Sequence, residues 1–133
     1  MADNSFHPNN QSSPPVLEHI KNTYKKWVPI QRNFPKSERF GLGQKIDQLF
    51  IVLMETLRKA SFLQINSKIS LLGEALLNID SLRFFVQLCW EIKLIPNNQF
   101  TAIGQDIESI GKMVGGWRKG LLTKTSANAE EKK

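Results

Sequence analysis

The sequence is poor in the residues on which most enzymes and metalloproteins depend, since it has one cysteine and two histidines in 133 residues. His7 lies in a polar N-terminal segment and His19 at a predicted surface position, so a histidine-based catalytic or metal site has little to form from. Glu-x-x-His pairs, metal-spaced cysteines and glycine-rich phosphate loops are also absent from the sequence. These absences predict a protein that is not an enzyme and uses no cofactor or metal.

Long apolar runs are missing as well. No stretch approaches the roughly 20 apolar residues of a membrane span, and the N-terminus lacks the basic start and apolar centre of a secretory signal. Cys89 has no second cysteine to pair with, which is typical of a protein in a reducing compartment, and its apolar surroundings favour a small core residue over a nucleophile. We therefore expect a soluble, cytoplasmic protein that does not enter a membrane.

Positive charge, in contrast, is abundant. The formal net charge is +6 and the sequence pI is about 9.6. Residues 16–122 hold 15 of the 18 basic residues and 9 of the 12 acidic ones, so the excess does not come from the ends of the chain. A basic body favours nucleic acid or another polyanion as the partner, and charge that only maintains solubility is the alternative.

Apolar residues recur at steps of three and four in four segments, which is the period of amphipathic helices, and no segment alternates as a strand does. We predict helices over residues 15–33, 38–63, 67–94 and 98–117, with Ser37 as the N-cap of the second. Helices of this length joined by short loops favour an all-α, antiparallel up-down four-helix bundle. The bundle is expected over residues 16–122, between disordered tails at residues 1–15 and 123–133.

The fourth predicted helix carries a strict apolar seam and, beside it, a line of glycines. The seam alternates steps of three and four and consists of Phe100, Ile103, Ile107, Ile110, Val114 and Trp117. Gly104, Gly111 and Gly115 lie along an adjoining edge of the same helix. Glycine in a helix costs about 1 kcal/mol relative to alanine, so three on one line predict close approach by a helix of another subunit. Together with Trp117, which ends the seam, these glycines are the predicted oligomer contact. The alternative is that Gly115 and Gly116 fray or cap the end of the helix.

Arg83 stands out because it occupies the same helical phase as Ile79 and Val86. A buried, unpaired guanidinium would cost several kcal/mol, so its stem is expected to pack in the seam while its head reaches solvent or a carboxylate. The alternative is that this face borders a channel or a subunit junction where the guanidinium binds phosphate.

The other basic residues fall into groups, each of which is compatible with an ordinary solvated face. Several such groups on one small domain nevertheless favour polyanion binding. The candidate nucleic-acid-binding residues are Lys21, Lys25 and Arg32 on the first helix, Lys36, Arg39 and Lys45 at the start of the second, Arg83 on the third, and Lys112, Arg118 and Lys119 on the fourth.

Three segments give the sequence a resemblance to a known family. FPKSERFGLG, the LRFF of residues 82–85 and IGKMVGGW resemble the accessory variability determinant (Avd) proteins of diversity-generating retroelements. These belong to a wider four-helix-bundle family that also includes proteins encoded in ribosomal RNA intervening sequences. The resemblance spans about residues 16–120, and FPK-x-x-RF and IGKMVGGW are its most specific parts.

The resemblance implies more than the residues do. Avd proteins form basic barrels of five protomers that bind the element's reverse transcriptase and nucleic acid and support mutagenic copying of a template repeat, without being the polymerase. On this chain the matching basic residues are Arg83, Lys36 and Arg39, with Lys112 and Arg118 beside the turn at residues 115–117. The expected partners are therefore a reverse transcriptase, template RNA or cDNA, and further copies of the chain. A purely structural interaction bundle of the intervening-sequence type is the alternative.

Overall fold

Four helices make up the fold. The computed structural model describes residues 14–131, which form helices and short turns and contain no strand. The helices are α1 (Pro15–Arg32), α2, α3 (Ile65–Glu91) and α4 (Asn97–Glu131). Helix α2 has three consecutive parts, an initial turn at Lys36–Glu38, a π-helical segment at Arg39–Gly43 and an α-helical body at Gln44–Ala60. The predicted all-α class with four helices is confirmed. The predicted N-terminal tail at residues 1–15 lies mostly outside the described part, and its last residue, Pro15, begins α1.

Prolines mark where three of the four helices begin. Pro15 is the first residue of α1, and Pro35 and Pro96 directly precede α2 and α4. Proline suits these positions because its fixed φ is compatible with a helix start and its missing N–H would have no partner there. The predicted N-cap at Ser37 is wrong, since the helix starts before it and the Ser37 Oγ donates a hydrogen bond to Oε1 of Glu38 at 2.6 Å.

The irregular start of α2 allows α1 to pack closely against it. A Cβ on Gly43 would lie 3.2 Å from Cγ of Gln31 and 3.3 Å from the carbonyl oxygen of Glu38. A side chain at this position would therefore push against the backbone of its own helix and against α1. The irregularity is the π-helical segment at Arg39–Gly43, which contains two glycines, Gly41 and Gly43.

Each helix packs against two neighbours, so the order around the bundle is α1, α2, α3, α4. The core is aromatic near the α1–α2 turn, where the Trp27 ring contacts those of Phe34 and Phe50 with centroids 5.7 and 6.1 Å apart. Along α4, the four central residues of the predicted seam are buried and its two ends, Phe100 and Trp117, are half-buried against the core. Among the described residues, no helix has the length and apolarity that crossing a membrane requires.

Helix α4 extends farther than the sequence indicated. We expected it to end near Trp117 and the chain to be unstructured from residue 123, but the helix continues through the glycines to Glu131. No proline follows Trp117, so nothing prevents the backbone from continuing as a helix. Leu121 packs against the core, and the Thr125 hydroxyl donates a hydrogen bond to the Leu121 carbonyl at 2.8 Å. The packing of Leu121 against the core offsets part of the helix propensity lost at Gly115 and Gly116.

Candidate nucleic-acid interface

The exposed side of α1 holds the first group of predicted cations. Lys21 forms an ion pair with Glu18 on the same helix at 3.2 Å, and the neighbouring Lys26 reaches Asp106 of α4 at 2.9 Å. Lys25 and Arg32 are exposed and make no ion pair with a described residue. These two side chains are the cations of α1 most available to a phosphate.

The start of α2 holds the second group. Lys36 is exposed in the first turn, while Arg39 donates from Nη2 to the Phe34 carbonyl oxygen at 3.3 Å. Lys45 Nζ lies 5.6 Å from the centroid of the Phe85 ring, a cation–π contact between α2 and α3. The structure thus keeps all three cations at the surface but tethers two of them by contacts within the chain.

Arg83 pairs with carboxylates. Its Nη1 lies 2.7 Å from Oδ1 of Asp80, and its Nε lies 3.3 Å from Oε1 of Glu108 on α4. The arrangement agrees with the expectation that the stem packs while the head reaches a carboxylate. A phosphate at this position would have to compete with two carboxylates, so Arg83 is less available to a phosphate than cations without ion pairs, such as Lys25.

Glycines make room for two arginines between α3 and α4. A Cβ on Gly111 would lie 3.4 Å from Nη2 of Arg83, so this glycine contacts an arginine of its own chain. In the reciprocal arrangement, Arg118 of α4 lies over Gly73 of α3, with Nε 3.3 Å from the position of a Cβ. Arg118 also donates from Nε to the Ile69 carbonyl oxygen at 3.0 Å. Gly111 therefore makes room for a side chain of its own bundle, a role that differs from the predicted contact with another subunit.

The remaining residues of the predicted oligomer contact differ from one another. A Cβ on Gly104 or Gly115 would meet nothing within 4 Å, so this edge of α4 is open. Trp117 is instead half-buried and lines a shallow groove with Met113 and with the first residues of α1, Pro15 and Val16. Lys112 and Lys119 are exposed on one face, because the helix runs unbroken through Gly115 and Gly116.

Cys89 is a core residue, as predicted. Its side chain is fully buried, and burial raises the pKa of its thiol to about 11. Because the thiolate is the reactive form, this environment makes the cysteine inert. Within residues 14–131 the structure has no group of three or more His, Cys, Asp or Glu side chains placed to hold a metal ion.

One group of residues at the turn between α2 and α3 lies outside the predicted set of cations. Phe62 is 72% exposed there, and Lys59 and Lys68 lie on either side of it in the chain. Neither Phe62 nor these two lysines are among the candidate binding residues that the sequence predicts. The sequence does indicate a basic segment here, because residues 59–73 contain two lysines, no acidic residue and a phenylalanine that is outside the predicted apolar stripes.

Comparisons with known proteins agree with this architecture. The bAvd-like family matches residues 16–121 of the chain. A solved structure from Bacteroides thetaiotaomicron VPI-5482, described as a protein of unknown function from the S23 ribosomal protein family, superimposes with a TM-score of 0.73 at 17% sequence identity. The match covers 81% of this chain and 98% of that one, and at this identity it shows the shared fold alone. No curated protein matches the sequence. The family match covers most of the chain and includes all three segments that carried the resemblance, so the protein belongs to the bAvd-like family.

Proposed function

We propose that the protein is a non-catalytic accessory factor of a diversity-generating retroelement, which binds the reverse transcriptase together with template RNA or cDNA and so supports mutagenic copying. The observation that carries the proposal is the bAvd-like match over residues 16–121 of a strongly basic bundle. Cations that are free of ion pairs with described residues, such as Lys25 and Lys36, supply the phosphate contacts. The working location is the cytoplasm, where the template RNA is made and copied.

Assembly is part of the proposal. A homopentameric barrel would repeat each basic group five times and create a polyanion-binding surface larger than one bundle provides. Five copies of the 15.2 kDa chain have a mass of about 76 kDa. Multi-angle light scattering at micromolar concentration is expected to return this mass, whereas a stable species of 15.2 kDa would contradict the assembly.

Salt dependence tests the nucleic-acid contacts. Phosphate binding releases counterions, so affinity for a labelled RNA falls steeply as salt rises and varies little with sequence. Replacing one phosphate-binding lysine lowers the slope of log affinity against log salt by roughly 0.7 to 0.9. We expect this for Lys25→Gln. The matched control is the double variant Lys26→Gln/Asp106→Asn, which removes the neighbouring ion pair without leaving an unpaired carboxylate.

Two outcomes would contradict nucleic-acid binding. The first is a flat salt response of the parent protein. The second is unchanged RNA affinity when Lys25, Lys36 and Arg39 are replaced together by glutamine. Arg83→Ala is a poor probe by itself, because its loss also frees Asp80 and Glu108 to repel phosphate.

A structural interaction bundle without a nucleic-acid function is the second candidate. The observation that favours it is the fold match to the S23-family structure, which covers nearly all of that chain. Genomic neighbourhood separates the two: a reverse transcriptase gene and a pair of imperfect repeats nearby support the retroelement role, and an insertion within a ribosomal RNA gene supports the structural one.

A further inference from the structure

An exposed aromatic side chain stands among cations at one end of the bundle. Phe62 lies in the turn between α2 and α3 and is 72% exposed, the largest value among the exposed large apolar side chains of the described residues. Leu63, beside it, is 41% exposed. Phe62 and Leu63 together leave apolar surface at this turn that the core does not use, and this surface is accessible to a contact outside the bundle.

Contacts within the chain connect this turn to α3 and α4. The Phe62 amide donates to the Lys59 carbonyl oxygen at 3.0 Å, and the Lys68 amide donates to that of Gln64 at 2.8 Å. Lys68 adjoins Ile69, whose carbonyl oxygen accepts the hydrogen bond from Arg118 of α4. Lys59, Lys68 and Arg118 therefore belong to the same end of the bundle as Phe62, although they come from three different helices.

Acidic residues are scarce in this region. Residues 59–73 contain no carboxylate, and neither do residues 109–127, which include Lys119 and Lys124 beyond Arg118. Because α3 and α4 are antiparallel, the residues that follow Arg118 run towards the start of α3 and so towards the same end. Nearby Arg58 is already paired with Glu55 at 2.8 Å. Glu74, which directly follows this segment on α3, is exposed, but the cations Lys59, Lys68, Arg118 and Lys119 outnumber it. Charge at this end is therefore positive, which favours a polyanion over a neutral or basic partner.

A second exposed phenylalanine supplies the contrast. Phe84 on α3 is 63% exposed and packs edge-to-face on Phe85, with ring centroids 5.1 Å apart. Its helix neighbours include Asp80 one turn before it and Glu91 two turns after it. The two phenylalanines are almost equally exposed, but Phe62 has no acidic residue within six positions on either side in the chain, whereas Phe84 has Asp80 four positions before it.

We propose that Phe62 is a stacking platform for an unpaired base, and that Lys59, Lys68 and Arg118 hold the adjoining phosphates of a single strand. Exposed aromatics beside cations are the arrangement by which proteins bind single-stranded nucleic acid without reading its sequence. This inference rests on the proposed function and sharpens it, because phosphate contacts alone do not distinguish a single strand from a duplex. The site would bind template RNA or newly made cDNA only where the bases are unpaired.

Fluorescence anisotropy with labelled 12-mers tests the inference. The ligands are oligothymidylate, oligouridylate, a duplex of the same length, and an abasic deoxyribose-phosphate strand that has phosphates and no bases. Loss of one stacked base weakens binding roughly 5- to 150-fold. We expect a loss of this size for Phe62→Ala on the two single strands, no change on the abasic strand, and affinity retained in Phe62→Trp. Comparison of the two single strands distinguishes cDNA from RNA.

Phe84→Ala is the matched control and should leave all four affinities unchanged. Equal binding of oligothymidylate and oligouridylate by Phe62→Ala and by the parent would overturn the stacking site, as would an equal loss on the abasic strand. If the parent binds these strands with a steep salt dependence while Phe62→Ala has no effect, only this inference fails. If the parent binds none of the ligands, the proposed nucleic-acid function fails with it. A Phe62→Ala variant that loses a co-purifying reverse transcriptase but not the single strands would identify a protein contact and refute the inference.

Discussion

Alanine at Gly104 and Gly115 separates the stability of α4 from its predicted role in assembly. A Cβ at either position would meet nothing within 4 Å, so alanine fits the single chain without any rearrangement. Alanine is favoured over glycine by about 0.8–1.0 kcal/mol in a helix interior, since glycine loses more backbone entropy on folding. The double variant Gly104→Ala/Gly115→Ala should therefore raise the free energy of unfolding by roughly 1.5–2 kcal/mol.

The same substitution has the opposite effect on an assembly in which another helix packs against this edge of α4. Two methyl groups would then separate the helix backbones and shift the oligomer towards smaller species. The assays are urea unfolding, followed by circular dichroism at fixed protein concentration because assembly itself adds stability, and light scattering of the same samples. The combined expectation is a more stable subunit and a smaller particle.

Gly43→Ala is the control, because there the added Cβ would press on Gln31 and on the Glu38 carbonyl oxygen and the propensity gain should be lost. An unchanged particle mass in the double variant would refute a contact at the Gly104 and Gly115 edge. A double variant that gains no stability while its mass stays unchanged would refute the propensity argument itself.

Three further predictions concern the fold. Ile107→Ala removes a side chain that is 1% exposed in the α4 seam and should cost about 2–5 kcal/mol in urea unfolding; a loss below about 1 kcal/mol would mean that the core collapses to fill the cavity. Lys93 has φ 67° just after α3, a left-handed conformation that costs an L-residue about 1–2 kcal/mol. Lys93→Gly should therefore raise the free energy of unfolding by up to roughly 1 kcal/mol. A decrease would show that the lysine side chain stabilises the turn. Burial raises the pKa of Cys89 to about 11, so the folded protein should resist thiol reagents at pH 8. Its stability should fall as pH rises from about 9 to about 11, because the Cys89 thiol ionises in the unfolded chain before it does so in the folded protein. Rapid labelling of the folded protein would contradict the burial.

The candidate interface shows where sequence patterns stop being informative. Charge, spacing and family motifs identified the cations on α1 and at the start of α2, and the structure places all of them at the surface. They did not reveal that Lys26 pairs with Asp106, or that Arg83 pairs with Glu108, because both partners are on another helix. Ion pairing across helices depends on packing, which has no signature in local sequence.

The glycines of α4 illustrate the same limit. Their spacing correctly placed three of them on one edge, but the edge is divided by tertiary structure. Gly111 makes room for Arg83, while Gly104 and Gly115 face open space. Whether a position requires glycine depends on which side chains of the neighbouring helix pack against it. The glycine residue alone does not indicate this.

Sequence alone determined the all-α class, the four helices, the α4 seam and the basic character of the bundle, because apolar periodicity, proline positions and composition act locally along the chain. Tertiary structure decided which cations remain free, which glycines serve the fold, and how far α4 extends past Trp117. It also brought Phe62, Lys68 and Arg118 to one end of the bundle. These outcomes depend on contacts between residues up to 80 positions apart, as between Lys26 and Asp106, and only the antiparallel packing of the helices brings such residues together.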